Sequence, residues 1–222
     1  MPALKLVIGN KNYSSWSMRP WLALRANDIH FDEVFIPLYT DDPADKDRIL
    51  SFSLAGKVPT LVDGDVTVWD SLAIIEYLAE KFPEKKLWPK DPASRAHARS
   101  ISAEMHSGFA ALRNECGMNL HRPIRAVALS DDARANVARI QQIWSECHQR
   151  YGGPFLFGAF SAADVYFAPV AVRLSRFGLP VSERAAAYRD ALLAHPAVED
   201  WVAEALREQD FIVEDEPYRS AR

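Results

Sequence analysis

The chain has 222 residues, of which 49% are hydrophobic and 25% are charged, and its formal net charge is −4. This composition is typical of a folded globular protein with one large or two small domains, and it excludes a disordered chain. The slight acidic surplus disfavours nucleic acid as a partner, because phosphate binding needs a basic face. The apolar runs are short, so we expect neither a membrane partner nor a signal peptide.

The first 82 residues alternate between short β-rich segments and helical segments. Their hydrophobic periodicity switches between the two-residue period of a strand and the longer period of a helix. This order predicts a parallel pair of strands joined through a helix. The predicted elements are a strand at 4–8, a helix at 18–26, a strand at 33–36 and a helix at 45–52.

The segment 57–82 is the most informative part of the chain and reads KVPTLVDGDVTVWDSLAIIEYLAEKF. Its Asp63-Gly64 pair between two β-rich runs predicts a hairpin. Asp70-Ser71 then opens a segment with helical periodicity. A helix N-terminus offers unpaired N–H groups and a positive dipole end, both of which favour a carboxylate. The pattern therefore predicts a site for the anionic end of a small ligand.

Beyond residue 82 the β-rich segments largely disappear. Prolines punctuate residues 83–92, which predicts a linker between two domains. The segments that follow are rich in Ala and Arg and predict a helical bundle, and the polar stretch after Ile212 is predicted to be irregular. The predicted helices occupy 93–115, 132–151, 162–177, 184–194 and 197–208.

Residues 10–17, NKNYSSWS, form a serine loop between the first predicted strand and the first predicted helix. Ligands of an open α/β sheet bind beyond the carboxyl ends of its strands, so this loop is expected to lie at the site. Pro20 is tolerated in a first helical turn. We therefore predict that Ser17 caps the helix and that Ser14 and Ser15 are exposed just before it.

These motifs, taken in order, resemble the glutathione S-transferase superfamily. The matching residues are Val58-Pro59 before the hairpin, Asp70-Ser71 at the helix start and the SLAIIEYL run after it. The serine-loop stretch SSWSMRPWLAL is similar to the zeta-class pattern. The resemblance implies a thioredoxin-like α/β domain of order βαβ-α-ββα at residues 1–82, a linker at 83–92, and an all-α helical bundle at 93–222.

The resemblance also implies that glutathione is the co-substrate and that Ser14 faces its sulfur. A hydroxyl that donates a hydrogen bond to the sulfur, close to a helix N-terminus, favours the thiolate. Ser15 could donate to the sulfur instead. Tyr13 is a further alternative, because some classes of the superfamily use a tyrosine hydroxyl.

The remaining expected contacts to glutathione come from the segment 57–71. In the superfamily the proline that corresponds to Pro59 is cis, so that the backbone of Val58 pairs with the cysteinyl part. Lys57 departs from the glutamine that is frequent in zeta-like proteins, and its ammonium could pair with the glycyl carboxylate. Ser71 is expected to hold the γ-glutamyl carboxylate, with Asp70 near the ammonium.

A small electrophilic second substrate is expected between the domains, against the predicted helix 93–115. Arg113 is a candidate for the mouth of this cleft, as are Met118 and Asn119 beyond the helix. His106 is more often a surface or structurally satisfied histidine. The pattern Ser161-x-x-Asp164 predicts a capping box with a structural role.

The two cysteines, Cys116 and Cys147, lie without a His cluster, so no metal site is predicted. Two cysteines without a disulfide framework suit a reducing cytoplasm. The resemblance implies a homodimer.

Three other functions stay open at this point. A maleylacetoacetate-type isomerase would use glutathione as a cofactor, although Trp16 replaces the cysteine of the zeta motif. A glutathione-dependent reductase or lyase usually carries a cysteine in the loop, and this loop has none. A non-catalytic glutathione-binding or regulatory protein could keep the fold without the activity.

Overall fold

The computed structural model describes residues 4–40, 42–213 and 215–216, and within them a four-stranded sheet and nine α-helices. Part of the predicted irregular stretch after Ile212, at residues 214 and 217–222, lies outside these ranges. In the part of the chain that is described, no helix has the length and apolar character needed to cross a bilayer.

The sheet has the strand order β2-β1-β3-β4. β1 and β2 are parallel, which requires a crossover between them, and the other two pairs are antiparallel. Gly64 has a φ of +59° in the turn that joins β3 to β4, so the predicted hairpin is confirmed. The strands are β1 (Leu4–Ile8), β2 (Phe31–Phe35), β3 (Thr60–Asp63) and β4 (Val66–Trp69).

Three helices belong to this first half, and together with the sheet they form the predicted thioredoxin-like arrangement. Helix α1 is the crossover between the two parallel strands, and α3 follows the hairpin directly. Both α1 and α2 begin earlier than predicted. The three helices are α1 (Ser15–Arg25), α2 (Pro43–Phe52) and α3 (Ser71–Lys81).

The second half is helical, as predicted. A short 3-10 turn at Pro83–Lys85 precedes it. Its helices are α4 (Pro92–Ser107), α5 (Ala110–Glu115), α6 (Asp131–Tyr151), α7 (Ala162–Arg176), α8 (Glu183–Leu193) and α9 (Pro196–Ala205).

The single helix predicted at 93–115 is wrong, because the chain breaks into α4 and α5. Gly108 caps α4 in an extended conformation, and a Cβ there would lie 2.7 Å from the carbonyl oxygen of Glu104. Phe109 follows with a φ of +58°, in the left-handed region. The break turns the chain at the point where α4 meets the first half of the molecule.

Helix α7 lies at the centre of the core and contacts α1, α4 and α8. Every residue from Ala162 to Leu174 is buried. The predicted capping box is confirmed: the Asp164 carboxylate accepts from the Ser161 N–H at 2.9 Å. It also accepts from the Leu156 N–H and the Tyr188 hydroxyl. This buried box fixes the start of the helix that joins the two halves.

Candidate functional site

A cavity of about 450 Å³, which we call the α3 cavity, lies where α3 begins. The segment before β3 forms one wall and the turn between β4 and α3 forms another. Helix α1 contributes Trp16, the residue after the serine pair. The lining residues are Trp16, Ala55, Lys57, Val58, Pro59, Trp69, Asp70 and Ser71.

The wall before β3 is a turn that a hydrogen bond from a side chain closes. The Val58–Pro59 peptide is cis, as the resemblance implies. The Thr60 hydroxyl donates to the Lys57 carbonyl oxygen at 3.2 Å, which closes the turn around this peptide. Lys57, Val58 and Pro59 therefore reach the cavity together.

The start of α3 forms the polar end of the cavity. Asp70 has a φ of +74°, and its carboxylate accepts from the Leu72 N–H at 2.7 Å, so it caps the helix. The Ser71 hydroxyl is buried and lies close enough to the Tyr166 hydroxyl to interact with it, although no hydrogen bond of normal geometry engages it among the described residues. A helix N-terminus with an unengaged hydroxyl is suited to bind a carboxylate.

His106, on α4, reaches Asp70 from the helical half. Its Nε2 lies 3.3 Å from the Asp70 carboxylate, and its ring contacts Trp16 edge-on. Burial lowers the pKa of His106, and the charges of Arg19 and Arg113 lower it further, although Asp70 opposes them. This half-buried ring pairs with Asp70, as expected of a structurally satisfied histidine, and the contact also places it beside the cavity.

The serine loop differs from its prediction. Ser14, not Ser17, is the N-cap of α1, and its hydroxyl oxygen accepts from the Ser17 N–H at 3.2 Å. The chain turns early because the N–H groups of Tyr13 and Ser14 both bond to the Asn10 carbonyl oxygen. Pro20 consequently lies inside the helix and not in its first turn.

Ser14 and Ser15 are buried, with exposures of 7% and 6%, which contradicts the prediction that they are exposed. Neither is among the residues that line the α3 cavity. The Ser14 hydroxyl lies 2.8 Å from that of Ser17, which in turn accepts from the Gly9 N–H. Ser15 Oγ accepts from Arg173 of α7 at 3.1 Å. The two hydroxyls therefore have different surroundings, although they are adjacent.

Tyr13 is directed away from the α3 cavity. Its hydroxyl contacts the Glu216 carboxylate and accepts from the Ile212 N–H at 3.4 Å. This hydroxyl therefore belongs to the contact with the C-terminal segment, and Tyr13 is not among the residues that line the α3 cavity.

A second group of side chains behind Trp16 consists of Arg19, Arg113 and Arg173, which we call the arginine cluster. Arg19 is 0% exposed, and its guanidinium lies 4.4 Å from the Trp16 ring centroid. Burial lowers the pKa of Arg19 to about 9 and that of Arg173 to about 10.

Arg113 reaches the same place from α5. It donates to the His106 carbonyl oxygen at 3.1 Å and lies 5.2 Å from the Trp16 ring centroid. Met118 and Asn119, which were predicted to reach the mouth of the cleft together with Arg113, are buried instead. Among the residues described, no carboxylate lies within ion-pair distance of any of the three guanidinium groups of the cluster. The cluster therefore carries net positive charge next to the cavity.

Comparison with known proteins identifies the family. Residues 13–81 match the model of the glutathione S-transferase N-terminal domain. A probable maleylacetoacetate isomerase of Caenorhabditis elegans is 33% identical over 171 residues, which cover 76% of this chain and 78% of that protein. The chain belongs to the glutathione S-transferase superfamily. The maleylacetoacetate isomerase of Rattus norvegicus is 31% identical over 189 residues, covering 82% and 84% of the two chains.

The fold of the superfamily is confirmed independently by solved structures. A Burkholderia glutathione transferase homologue with bound glutathione superposes with a TM-score of 0.68 at 24% identity. The superposition covers 92% of this chain and 98% of that one. The matched N-terminal domain, residues 13–81, contains all but the first part of the serine loop and every residue that lines the α3 cavity.

Sequence reasoning missed several residues that surround the site of this superfamily member. The sequence pattern drew attention to Trp16 only as the residue that replaces the zeta cysteine. It drew no attention to Arg19 or Arg173. One available signal was a charged residue inside the long apolar run of α7, since buried arginines are rare without a partner. His106 carried no such signal, because its neighbours come from distant parts of the chain.

The cysteines are buried and free, and neither lines the α3 cavity. Burial raises the pKa of Cys116 to about 11 and that of Cys147 to about 12, so neither is a ready nucleophile. The described residues contain no cluster of three His, Cys, Asp or Glu side chains that could hold a metal ion.

Proposed function

We propose that this protein is a glutathione transferase that ionises the glutathione thiol and directs the thiolate onto a small electrophile. One observation carries the proposal: the Val58-Pro59 segment and the capped start of α3 at Asp70-Ser71 line the same cavity. Backbone groups that line the cavity and a helix N-terminus are features that can bind a short peptide with a terminal carboxylate.

The α3 cavity offers a partner for each end of glutathione. The Ser71 hydroxyl and N–H would hold the γ-glutamyl carboxylate, and Asp70 would lie near the ammonium group. The backbone of Val58 would pair with the cysteinyl residue, and Lys57 would attract the glycyl carboxylate. These roles make use of a buried Ser71 hydroxyl whose neighbour among the described residues is the Tyr166 hydroxyl and which has no hydrogen bond of normal geometry there.

Ionisation of the thiol requires a modest amount of free energy. A free thiol has a pKa of about 8.5, and lowering this pKa by about 2 units requires about 2.7 kcal/mol. A hydrogen bond to a charged group contributes about 1.5–3 kcal/mol, and a helix N-terminus adds about 0.3–1 kcal/mol. Ser14 or Ser15 at the start of α1 could supply the bond, so no general base is needed.

The experiment is a pH titration of bound glutathione by ultraviolet difference absorbance in wild type, Ser14→Ala and Ser15→Ala. We expect thiolate near neutral pH in wild type and its loss in one of the two variants. Ser100→Ala, an exposed serine on α4, is the matched control. Glutathione that binds with an unperturbed thiol in every protein would mean a binding protein and not a transferase.

A second candidate function is a glutathione-dependent isomerase of the maleylacetoacetate type. The names of the two relatives at 33% and 31% identity favour it, and the cationic residues beside Trp16 suit an acidic substrate. Trp16 in place of the zeta cysteine argues against it. Turnover of a cis-unsaturated diacid without consumption of glutathione would select the isomerase, whereas conjugation of an aryl halide would select the transferase.

We further propose that the protein is a cytoplasmic homodimer with a glutathione-binding domain at 1–82, a linker at 83–92 and a helical domain at 93–222. Membership in the superfamily supports the dimer, and two free cysteines suit a reducing compartment. Light scattering after size exclusion measures the oligomeric state. Limited proteolysis that cuts first within 83–92 would support the domain boundary.

A further inference from the structure

Arg173 is a buried cation that connects the helical half to the serine loop. It is 4% exposed, its Nη2 donates to Ser15 Oγ at 3.1 Å, and its Nε donates to the Cys116 carbonyl oxygen at 2.8 Å. The described residues place no carboxylate within ion-pair distance, and Nη1 has no partner. An unpaired buried charge costs several kcal/mol, so its retention beside a candidate catalytic hydroxyl requires an explanation.

The hydrogen bonds distinguish Ser15 from Ser14. A serine hydroxyl can accept two bonds and donate one. Ser15 Oγ accepts from Arg173, and its proton has no acceptor within the described ranges. The Ser14 hydroxyl accepts from the Ser17 N–H and shares a bond with the Ser17 hydroxyl. Ser15 is therefore the hydroxyl whose proton is available to a ligand.

The charged groups around Arg173 add to its field. Burial and the nearby charge of Arg113 both lower the pKa of Arg173, although at about 10 the guanidinium stays charged at neutral pH. Arg19 also interacts with Arg173, and Asp70 is the carboxylate that partly offsets Arg19. An anion arriving here enters a region of net positive charge and low polarity, where charge interactions are strong.

We propose that Arg173 is a positioning residue, which holds the Ser15 oxygen so that the Ser15 proton points to the sulfur of bound glutathione and stabilises the thiolate. This inference rests on the proposed function. A hydroxyl that accepts a bond from a cation becomes a stronger donor, since linked hydrogen bonds polarise one another. The helical half of the molecule would thereby take part in thiol activation, which otherwise belongs to the α/β half.

The test is a double-mutant cycle on the thiol pKa of bound glutathione, with wild type, Arg173→Gln, Ser15→Ala and the double variant. Each single variant is expected to raise this pKa by about 1 unit, a tenfold change that corresponds to about 1.4 kcal/mol. The double variant is expected to match the single variants, because both remove the same hydrogen bond. The dissociation constant of glutathione should change by less than the tenfold change that the thiol pKa represents.

Arg176→Gln is the matched control, because Arg176 is a half-buried arginine on α7 that donates to the Arg122 carbonyl oxygen and not to a serine. It should leave the thiol pKa unchanged. Arg173→Lys keeps the positive charge, so the thiol pKa of bound glutathione should rise less in this variant than in Arg173→Gln. A purely structural role of Arg173 would not predict this difference. If Arg173→Gln does not fold, Arg173→Met, which also removes the charge and the hydrogen bond, replaces it in the cycle.

The outcomes separate this inference from the proposed function. An unperturbed thiol in wild type overturns both. A thiolate near neutral pH in wild type that persists in Arg173→Gln or in Ser15→Ala overturns the inference alone. Additive shifts in the double variant also overturn it, because Arg173 would then act without Ser15.

Discussion

Two buried cations near the start of α1 have opposite surroundings. Lys11 has a side chain that is 5% exposed, and its ammonium forms ion pairs with Glu33 at 2.6 Å and with Glu204. Arg19 is fully buried, and no carboxylate within the described residues pairs with it. Carboxylates of the protein neutralise Lys11, whereas the charge of Arg19 is left for an anionic ligand to neutralise.

This difference indicates that Lys11 has a structural role in holding the serine loop, whereas Arg19 belongs to a ligand-binding region. Glu208 accepts from the backbone N–H groups of Lys11 and Asn12, at 2.6 and 2.9 Å, and Asp210 accepts from Asn10. The segment after α9 thus supplies the carboxylates that hold the back of the serine loop. The arginine cluster on the other side has no such partners, which is typical of a region arranged for an incoming anion. The variants below test this distinction.

Lys11→Met is expected to have the largest effect, a loss of about 2–3 kcal/mol in the free energy of unfolding. Removing one partner of a buried pair costs about 3–5 kcal/mol, and the loss is smaller here because both carboxylates are partly exposed. Urea denaturation measures it. Arg25→Met, at an exposed pair with Asp200, is the control and should cost at most about 1 kcal/mol. Equal losses in the two variants would contradict the role of Lys11 as an anchor.

Arg19→Met is expected to behave in the opposite way. Without ligand, stability should be unchanged or higher by about 1 kcal/mol, because an unpaired buried cation is replaced by an apolar side chain. Activity should fall about tenfold in kcat/KM, equivalent to about 1.4 kcal/mol, because an anionic ligand loses a favourable charge. Arg19→Lys should recover part of the activity. A variant that loses stability and keeps its activity would place Arg19 with Lys11, as a structural cation.

The smallest expected effect is on the pH dependence of the free energy of unfolding, to which His106 contributes. Its pKa is lowered in the folded protein, chiefly by burial, so the unfolded chain binds more protons below about pH 6.5. Stability should therefore fall as the pH falls from about 6.5 through the folded pKa of His106. His106→Gln should flatten this dependence in denaturation curves across that range, whereas exposed His30→Gln should not. A slope unchanged by His106→Gln would contradict the lowered pKa.

Much of the site could be read from the sequence because its signals are local. The Asp-Gly turn, the proline before β3 and the Asp-Ser pair before α3 lie within 57–82, and each acts over a few residues. Local geometry of this kind depends on turn and cap chemistry, which short motifs encode directly. The hairpin, the start of α3 and the resemblance to the superfamily therefore followed from the chain alone.

The tertiary structure decided which side chains meet at the site. Ser14 replaced Ser17 as the cap because Asn10 tightens the loop, and α4 ended at Gly108, where the backbone becomes extended before Phe109 turns to a φ of +58°. The contact of His106 with Asp70 and that of Arg173 with Ser15 join residues 36 and 158 positions apart. No periodicity in one sequence encodes such pairs, since they arise only when the helical half packs against α1.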